Sequence, residues 1–215
     1  MKNTRALIIG ATGATGKDLV NVLLQDCSYN EVVLFVRRPF GIVHPKLVEV
    51  FTDFDHQEKV ADQIRGDILF SCLGTTLKAA GSKDNQWHID YQVPLKFAQI
   101  AQSNGVQSLV LLSAYGAATD SKIFYSRVKG ALEVAMERLA FDQYIIFKPG
   151  SLVRKDSDRV AEHIINAAFK FLNSFGILKR FRPLPTAILA AKLAKAPQTL
   201  SNGKHIVELE KIFSF

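Results

Sequence analysis

Seven residues near the start, Gly10-Ala11-Thr12-Gly13-Ala14-Thr15-Gly16, constrain this chain more than any other stretch. They follow a four-residue apolar run at 6–9 and precede residues 18–24, where Leu19, Val20, Leu23 and Leu24 recur at helical spacing. A buried strand that turns through glycines into a helix makes a particular kind of site. Glycine lacks a Cβ, so the turn can be tight and the backbone can approach a bound anion. The helix start then offers free N–H groups and a positive dipole end. Three glycines alone could mark an ordinary turn. Their place after a first strand, with more strand–helix units behind, favours a loop that cradles the pyrophosphate of a dinucleotide. The spacing is GxxGxxG rather than GxGxxG.

The alternation continues through roughly the first 150 residues. Apolar runs at 32–36, 47–51, 67–73, 108–112 and 144–147 read as strands, and the stretches 55–64, 85–103 and 121–140 read as helices. This predicts an α/β fold, a doubly wound and mainly parallel sheet of Rossmann type with helices on both faces. Burial on both faces explains why the strands are continuous apolar runs rather than alternating ones. After Gly150 the rhythm changes. Val160, Ile164, Ile165, Ala168 and Leu172 mark a helix, residues 175–185 mix aromatic, basic and proline residues, and a helix near 186–195 and a strand near 205–209 complete the chain. No repeat or composition break marks a linker. Residues 1–215 are therefore read as a single domain, with 151–215 forming a small, basic, partly helical cap on the substrate side of the sheet.

Composition excludes several classes. With 48% hydrophobic and 22% charged residues over 215 positions, the chain is globular rather than disordered. No apolar run approaches the roughly 18 residues of a membrane-spanning helix, and the run at 6–9 is too short for the core of a signal peptide. Cys27 and Cys72 stand far apart with no CxxC pair, which fits a reducing compartment, the cytoplasm, and two buried inert thiols. His44, His56, His88, His163 and His205 show no metal-ligand spacing, so no metal is expected. The acidic pairs Asp53/Asp55 and Asp156/Asp158 read as solvated carboxylates. The net charge of +7 lies in the last third: residues 1–147 hold 15 basic and 15 acidic side chains, residues 148–215 hold 12 and 5. Such a tail could meet nucleic acid, anionic lipid or an anionic small molecule, or be a solvated basic face.

Two further patterns carry chemistry. The second strand ends in Val36-Arg37-Arg38-Pro39, with no acid in reach to hold ribose hydroxyls. Two guanidiniums suit the 2′-phosphate of NADP(H), which is therefore preferred over NAD(H). Ser113 directly follows the fifth strand, at the carboxyl edge where open α/β sheets bind ligands. Tyr125 and Lys129 then stand one helical turn apart on one face. A tyrosine near its reference pKa of about 10 is a poor acid–base group at neutral pH. A nearby ammonium, helped by a cationic oxidised nicotinamide, is expected to lower that value.

These residues together resemble the short-chain dehydrogenase/reductase superfamily, and within it the Tat-interacting-protein-like group of atypical members. The resemblance rests on GATGATG at 10–16, CLGTT at 72–76, LLSAYGA at 111–117, FYSRVKG at 124–130, FDQY at 141–144 and FKPG at 147–150. It covers roughly residues 4–150 well and the remainder loosely. It implies that Gly10, Thr12, Gly13, Ala14, Thr15 and Gly16 hold the pyrophosphate and that Arg37 and Arg38 hold the 2′-phosphate. Asp53 and Phe54 would lie beside the adenine and Leu73, Gly74 and Thr75 along the cofactor ribose. Pro149, Gly150 and Ser151 would approach the nicotinamide. Ser113, Tyr125 and Lys129 match the catalytic trio, with Lys129 also binding ribose. Where many active members carry an asparagine of a proton relay, the nearest match is Asp90, a departure that leaves room for a protein that binds cofactor with little turnover.

Two functions follow. The first is an NADPH-dependent oxidoreductase reducing a small carbonyl substrate. The alternative is an NADP(H)-binding regulatory protein whose basic cap meets a partner. The aromatic and basic segment 169–182 is read first as a substrate or cofactor cap and second as a subunit contact, as in a homodimer. A membrane-surface contact and a nucleic-acid contact rank third and fourth.

Overall fold

The computed structural model of the chain describes residues 4–153 and 182–215. Its frame is a seven-stranded parallel sheet built from β1 (Thr4–Ile9), β2 (Tyr29–Val36), β3 (Leu47–Phe51), β4 (Ile68–Ser71), β5 (Ser108–Leu112), β6 (Gln143–Lys148) and β9 (Gly203–Glu208), in the order β3-β2-β1-β4-β5-β6-β9. The chain winds outward from β1 to β3, returns to β4 on the other side of β1, and winds outward again. That reversal opens a crevice at the carboxyl ends of β1 and β4, the ligand position of doubly wound sheets.

Both faces of the sheet are covered, as the continuous apolar runs require. In β1, Ala6 and Ile8 face a core layer with Leu19 and Leu23 of α1 (Ala14–Gln25) and with Leu189 and Leu193 of a late helix, Thr186–Thr199. The alternate residues Leu7 and Ile9 face the opposite layer, with Phe97 and Ala101 from one helix and Leu132 and Met136 from another. The α-helices between β4 and β6 are α2 (Leu77–Ala80), α3 (Lys83–Trp87), α4 (Val93–Ser103) and α5 (Phe124–Glu137). The helix at Thr186–Thr199 is α6, and α7 (Lys211–Ser214) closes the chain.

The expected parallel α/β sheet is present, and the differences lie in helix type, helix continuity and one additional strand pairing. The stretch 55–64 is a 3₁₀ segment at Gln57–Gln63 rather than an α-helix. The helix expected over 85–103 is three pieces: α3, a π-helical turn at His88–Gln92, and α4. Such turns wind one residue wider than an α-helix and recur at functional sites. Ser82 starts α3 by accepting a hydrogen bond on its side chain from the Asn85 N–H at 3.1 Å. Two short strands that carry no sequence pattern, β7 (Leu152–Val153) and β8 (Leu184–Pro185), pair in parallel apart from the main sheet. The helix expected around 160–172, and residues 169–181 of the aromatic and basic segment, lie outside the described residues. At its far end the Arg182 guanidinium stacks 3.3 Å from the centre of the Phe213 ring. Among the described residues, no helix is long and apolar enough to cross a membrane.

Candidate cofactor and catalytic site

The glycine loop joins β1 to α1 at the crevice. Gly10 has φ +81°, and a Cβ there would stand 2.5 Å from the Cys72 carbonyl carbon. At Gly16 a Cβ would stand 2.1 Å from the Gly10 carbonyl oxygen. Both distances are far below contact, so these two positions admit only glycine with the loop in this shape. The first turn of α1 has no capping side chain at Gly13 and no acidic residue, which leaves its N–H groups and positive dipole end free for an anion.

Two cavities flank this loop. The first, about 540 Å³, is lined by Gly10, Thr12, Arg37, Arg38, Asp53 and Phe54 of the expected set, and also by Lys17, Asp55 and His88. The second, about 700 Å³, is lined by Gly13, Ala14, Thr15, Gly16, Gly74, Thr75, Ser113, Tyr125 and Lys129. Leu73 lines both. The two volumes fall in the range of small-molecule sites. Together they divide as a dinucleotide would, with the cation-lined end beside β2 and the tyrosine end beside β5. Pro149, Gly150 and Ser151 follow β6 at the same sheet edge but line neither cavity. The Pro149 carbonyl accepts the Tyr115 N–H at 2.9 Å, and the Ser151 carbonyl accepts the Leu184 N–H at 2.9 Å.

Tyr125 and Lys129 stand one turn apart on α5, as the spacing predicts. Lys129 is buried, and its Nζ donates to the Leu73 carbonyl at 3.0 Å. Burial lowers its pKa, while Asp90, Cys72 and Glu133 act in the opposite direction. Tyr125 is 37% exposed, its ring opening on the cleft. Burial of the hydroxyl pushes its pKa up to about 12, and the Asp90 carboxyl adds to the rise. This reverses the expectation that Lys129 lowers the value. The ammonium is 6.0 Å from the ring centre and turned to the Leu73 carbonyl, so in the free protein it does not offset burial.

Asp90 lines neither cavity but lies behind the wall of the second, bonded to Thr75. It lies fully buried on the π-turn, which packs against α5. Its Oδ1 accepts the Thr75 N–H at 2.7 Å, and no hydrogen bond of normal geometry reaches its enclosed Oδ2. Burial raises its pKa, opposed by Lys129 and by the bond from Thr75.

Several contributors have no local sequence signal. Lys17 adds a third cation to the first cavity. His88 bonds through Nε2 to Asp55 at 2.6 Å and through Nδ1 to Gln92 at 2.9 Å, and the hydrogen bonds raise its pKa. Asp55 is thus paired rather than merely solvated. The Ser113 hydroxyl donates to Glu133, whose other carboxylate oxygen meets Lys148. Cys27 is exposed rather than buried, whereas Cys72 lines the second cavity and burial pushes its thiol up to about 12.

Residues 10–168 match the family model described as NAD(P)H-binding. The chain belongs to the NAD(P)H-binding family. Its curated relatives place it in the Tat-interacting-protein-like group of atypical short-chain dehydrogenases/reductases. Protein HTATIP2 of Rattus norvegicus is 34% identical over 157 residues, which span 71% of this chain and 64% of that protein, just under two thirds of its length. A fungal relative in Scheffersomyces stipitis, named Protein FMP52-1, mitochondrial, is 30% identical over 200 residues, 90% of this chain and 88% of the relative.

Solved structures agree on the fold. The oxidoreductase ylbE from Lactococcus lactis superposes with a TM-score of 0.67 at 18% identity, covering 98% of this chain and 96% of that one. A UDP-glucose 4-epimerase from Thermotoga maritima, solved with UDP-glucose, gives 0.72 at 13% identity, covering 95% and 76%. The residues present fit the nicotinamide dinucleotide of the NAD(P)H-binding family: two glycines that only a bare backbone satisfies, an uncapped helix start, and a buried lysine beside a tyrosine.

Proposed function

We propose that this protein is an NADPH-dependent oxidoreductase that reduces a small carbonyl compound. The observation that carries the reading is the shared cavity, in which Ser113, Tyr125 and Lys129 face the end of the glycine loop. The bound nicotinamide supplies the hydride. Tyr125 holds its proton throughout the neutral range, as a general acid for a carbonyl oxygen must, and gives it to the oxygen as the alcohol forms. Lys129, buried beside it, binds the cofactor ribose and biases the tyrosine once the site is filled. Ser113 fixes the substrate by a hydrogen bond. Arg37 and Arg38 in the other cavity, with no acid at the end of β2, support NADP(H) over NAD(H). The unpaired cysteines fit a reducing compartment, and we assign the protein to the cytoplasm.

Asp90 favours a second reading, a regulatory NADP(H)-binding protein. It stands where the resemblance places the asparagine of a proton relay, and a carboxylate there leaves that relay incomplete. Consumption of NADPH across a panel of aldehydes and ketones, wild type beside Tyr125→Phe, separates the two. The reductase loses at least about 100-fold in turnover on losing its general acid, with NADPH affinity unchanged. Equal consumption by both proteins overturns the assignment of Tyr125, tight NADPH binding with no consumption favours the regulatory protein, and absence of NADPH binding overturns both readings.

A further inference from the structure

Ser113 lines the larger cavity, but its hydrogen is committed elsewhere. The hydroxyl donates to Oε1 of Glu133, which lies on α5 one turn beyond Lys129. The other carboxylate oxygen of Glu133 accepts from the Lys148 ammonium at 3.1 Å, and Lys148 also donates to the Ala117 carbonyl at 3.2 Å. Both side chains of this ion pair are only 13% exposed. The turn of α5 that bears Glu133 is itself anchored, since the Tyr144 hydroxyl of β6 donates to the Glu133 carbonyl at 3.1 Å.

A serine hydroxyl has one hydrogen and two lone pairs. With the hydrogen given to a carboxylate, in a charge-assisted bond of the stronger kind, Ser113 can offer the cleft only acceptor lone pairs. A carbonyl oxygen is also only an acceptor, so the two repel. A hydroxyl on the ligand, which has a hydrogen to give, fits. We propose that Glu133 and Lys148 form a positioning pair that fixes Ser113 as a hydrogen-bond acceptor. The substrate is then an α-hydroxy carbonyl compound: its carbonyl oxygen meets Tyr125, and its neighbouring hydroxyl donates to Ser113. The carbonyl half of this assignment rests on the reductase reading, whereas the acceptor polarity of Ser113 rests on the Glu133 bond alone.

The test is equilibrium binding of two probes to the protein saturated with NADP⁺: α-hydroxyacetophenone, whose hydroxyl can donate to Ser113, and α-methoxyacetophenone, whose ether oxygen can only accept. A phenyl body suits the apolar wall formed by Leu77, Ile123 and Phe124. Wild type is expected to bind the hydroxy ketone roughly tenfold tighter, the scale of one hydrogen bond gained and one repulsion avoided. Ser113→Ala brings the ratio close to one. Glu133→Gln is nearly isosteric but reverses the polarity: Lys148 takes the amide oxygen, the amide NH₂ donates to Ser113, and the serine hydrogen turns into the cleft. Both probes can then accept from Ser113, so the ratio falls close to one, a change that a merely structural role for Glu133 would not produce. Equal binding of the two probes by wild type, binding of neither, or a ratio that survives Glu133→Gln overturns the proposal. NADPH oxidation in parallel samples that carry NADPH in place of NADP⁺ tests the reductase reading separately, because the expected ratio without oxidation keeps Ser113 as an acceptor and removes the carbonyl half.

Discussion

At the scale of single residues, the site is governed by what burial does to charge. Tyr125 and Lys129 are legible in the sequence because an i, i+4 pair needs only the helix to bring its members together. Their electrostatics are not legible, since those depend on Asp90, 35 residues before Tyr125 in the chain and enclosed beside it in the fold. The carboxylate raises the cost of a phenolate nearby, so its removal must ease ionisation. In Asp90→Asn, the Tyr125 titration, read as the tyrosinate absorbance lost in a matched Tyr125→Phe background, is expected to move down from about 12 toward the ordinary value of 10.0. A midpoint that stays in place would show that burial alone sets it. The same distance in sequence hides the Ser113–Glu133–Lys148 set, whose members come from the end of β5, from α5 and from β6. A strand-end serine signals a ligand edge, but which way its hydrogen points is decided by a neighbour 20 residues later.

At the scale of elements, strand centres are the most legible feature. Leu47–Phe51 and Ser108–Leu112 match the sequence reading at both ends; in the second, a central strand, the apolar run is buried on both faces and has few other places to go, whereas the first is a half-exposed edge strand. Helix ends and interruptions are decided by neighbours. The π-turn at His88–Gln92 interrupts what hydrophobic periodicity reads as one helix, and it is this turn that sets Asp90 against α5. Gly130 is an equally silent constraint. It stands on α5 next to Lys129, where a Cβ would come within 2.4 Å of the Ala118 backbone. Helix α5 can therefore approach the 114–123 loop only with glycine at that position. Gly130→Ala is expected to push α5 outward, destabilise the fold by about 1–3 kcal/mol as overpacking does, and weaken NADPH binding through the displaced Lys129. Thermal unfolding with and without NADPH checks this, and an unchanged Tm with unchanged cofactor affinity would show that the loop yields instead.

At the scale of the molecule, the alternation of strands and helices foretells a parallel α/β sheet, but not that β9, from the far end of the chain, lies beside β6 as its edge strand. That placement follows from packing: α6 covers α1 on one face and delivers the chain back to the open edge. The whole assembly puts a glycine loop, a pair of arginines and a tyrosine–lysine pair along one crevice, with the tyrosine and lysine at one end and the arginines at the other. On the proposed reading, this crevice passes a hydride from NADPH to a carbonyl carbon. The direct measurement is to supply both C4-deuterated NADPH stereoisomers in turn with a carbonyl substrate and to locate the label by mass and NMR spectroscopy. On that reading deuterium is expected on the new carbinol carbon from one isomer only, and none with Tyr125→Phe under the same conditions. Saturable NADPH binding that leaves no deuterium in any product from either isomer would contradict it.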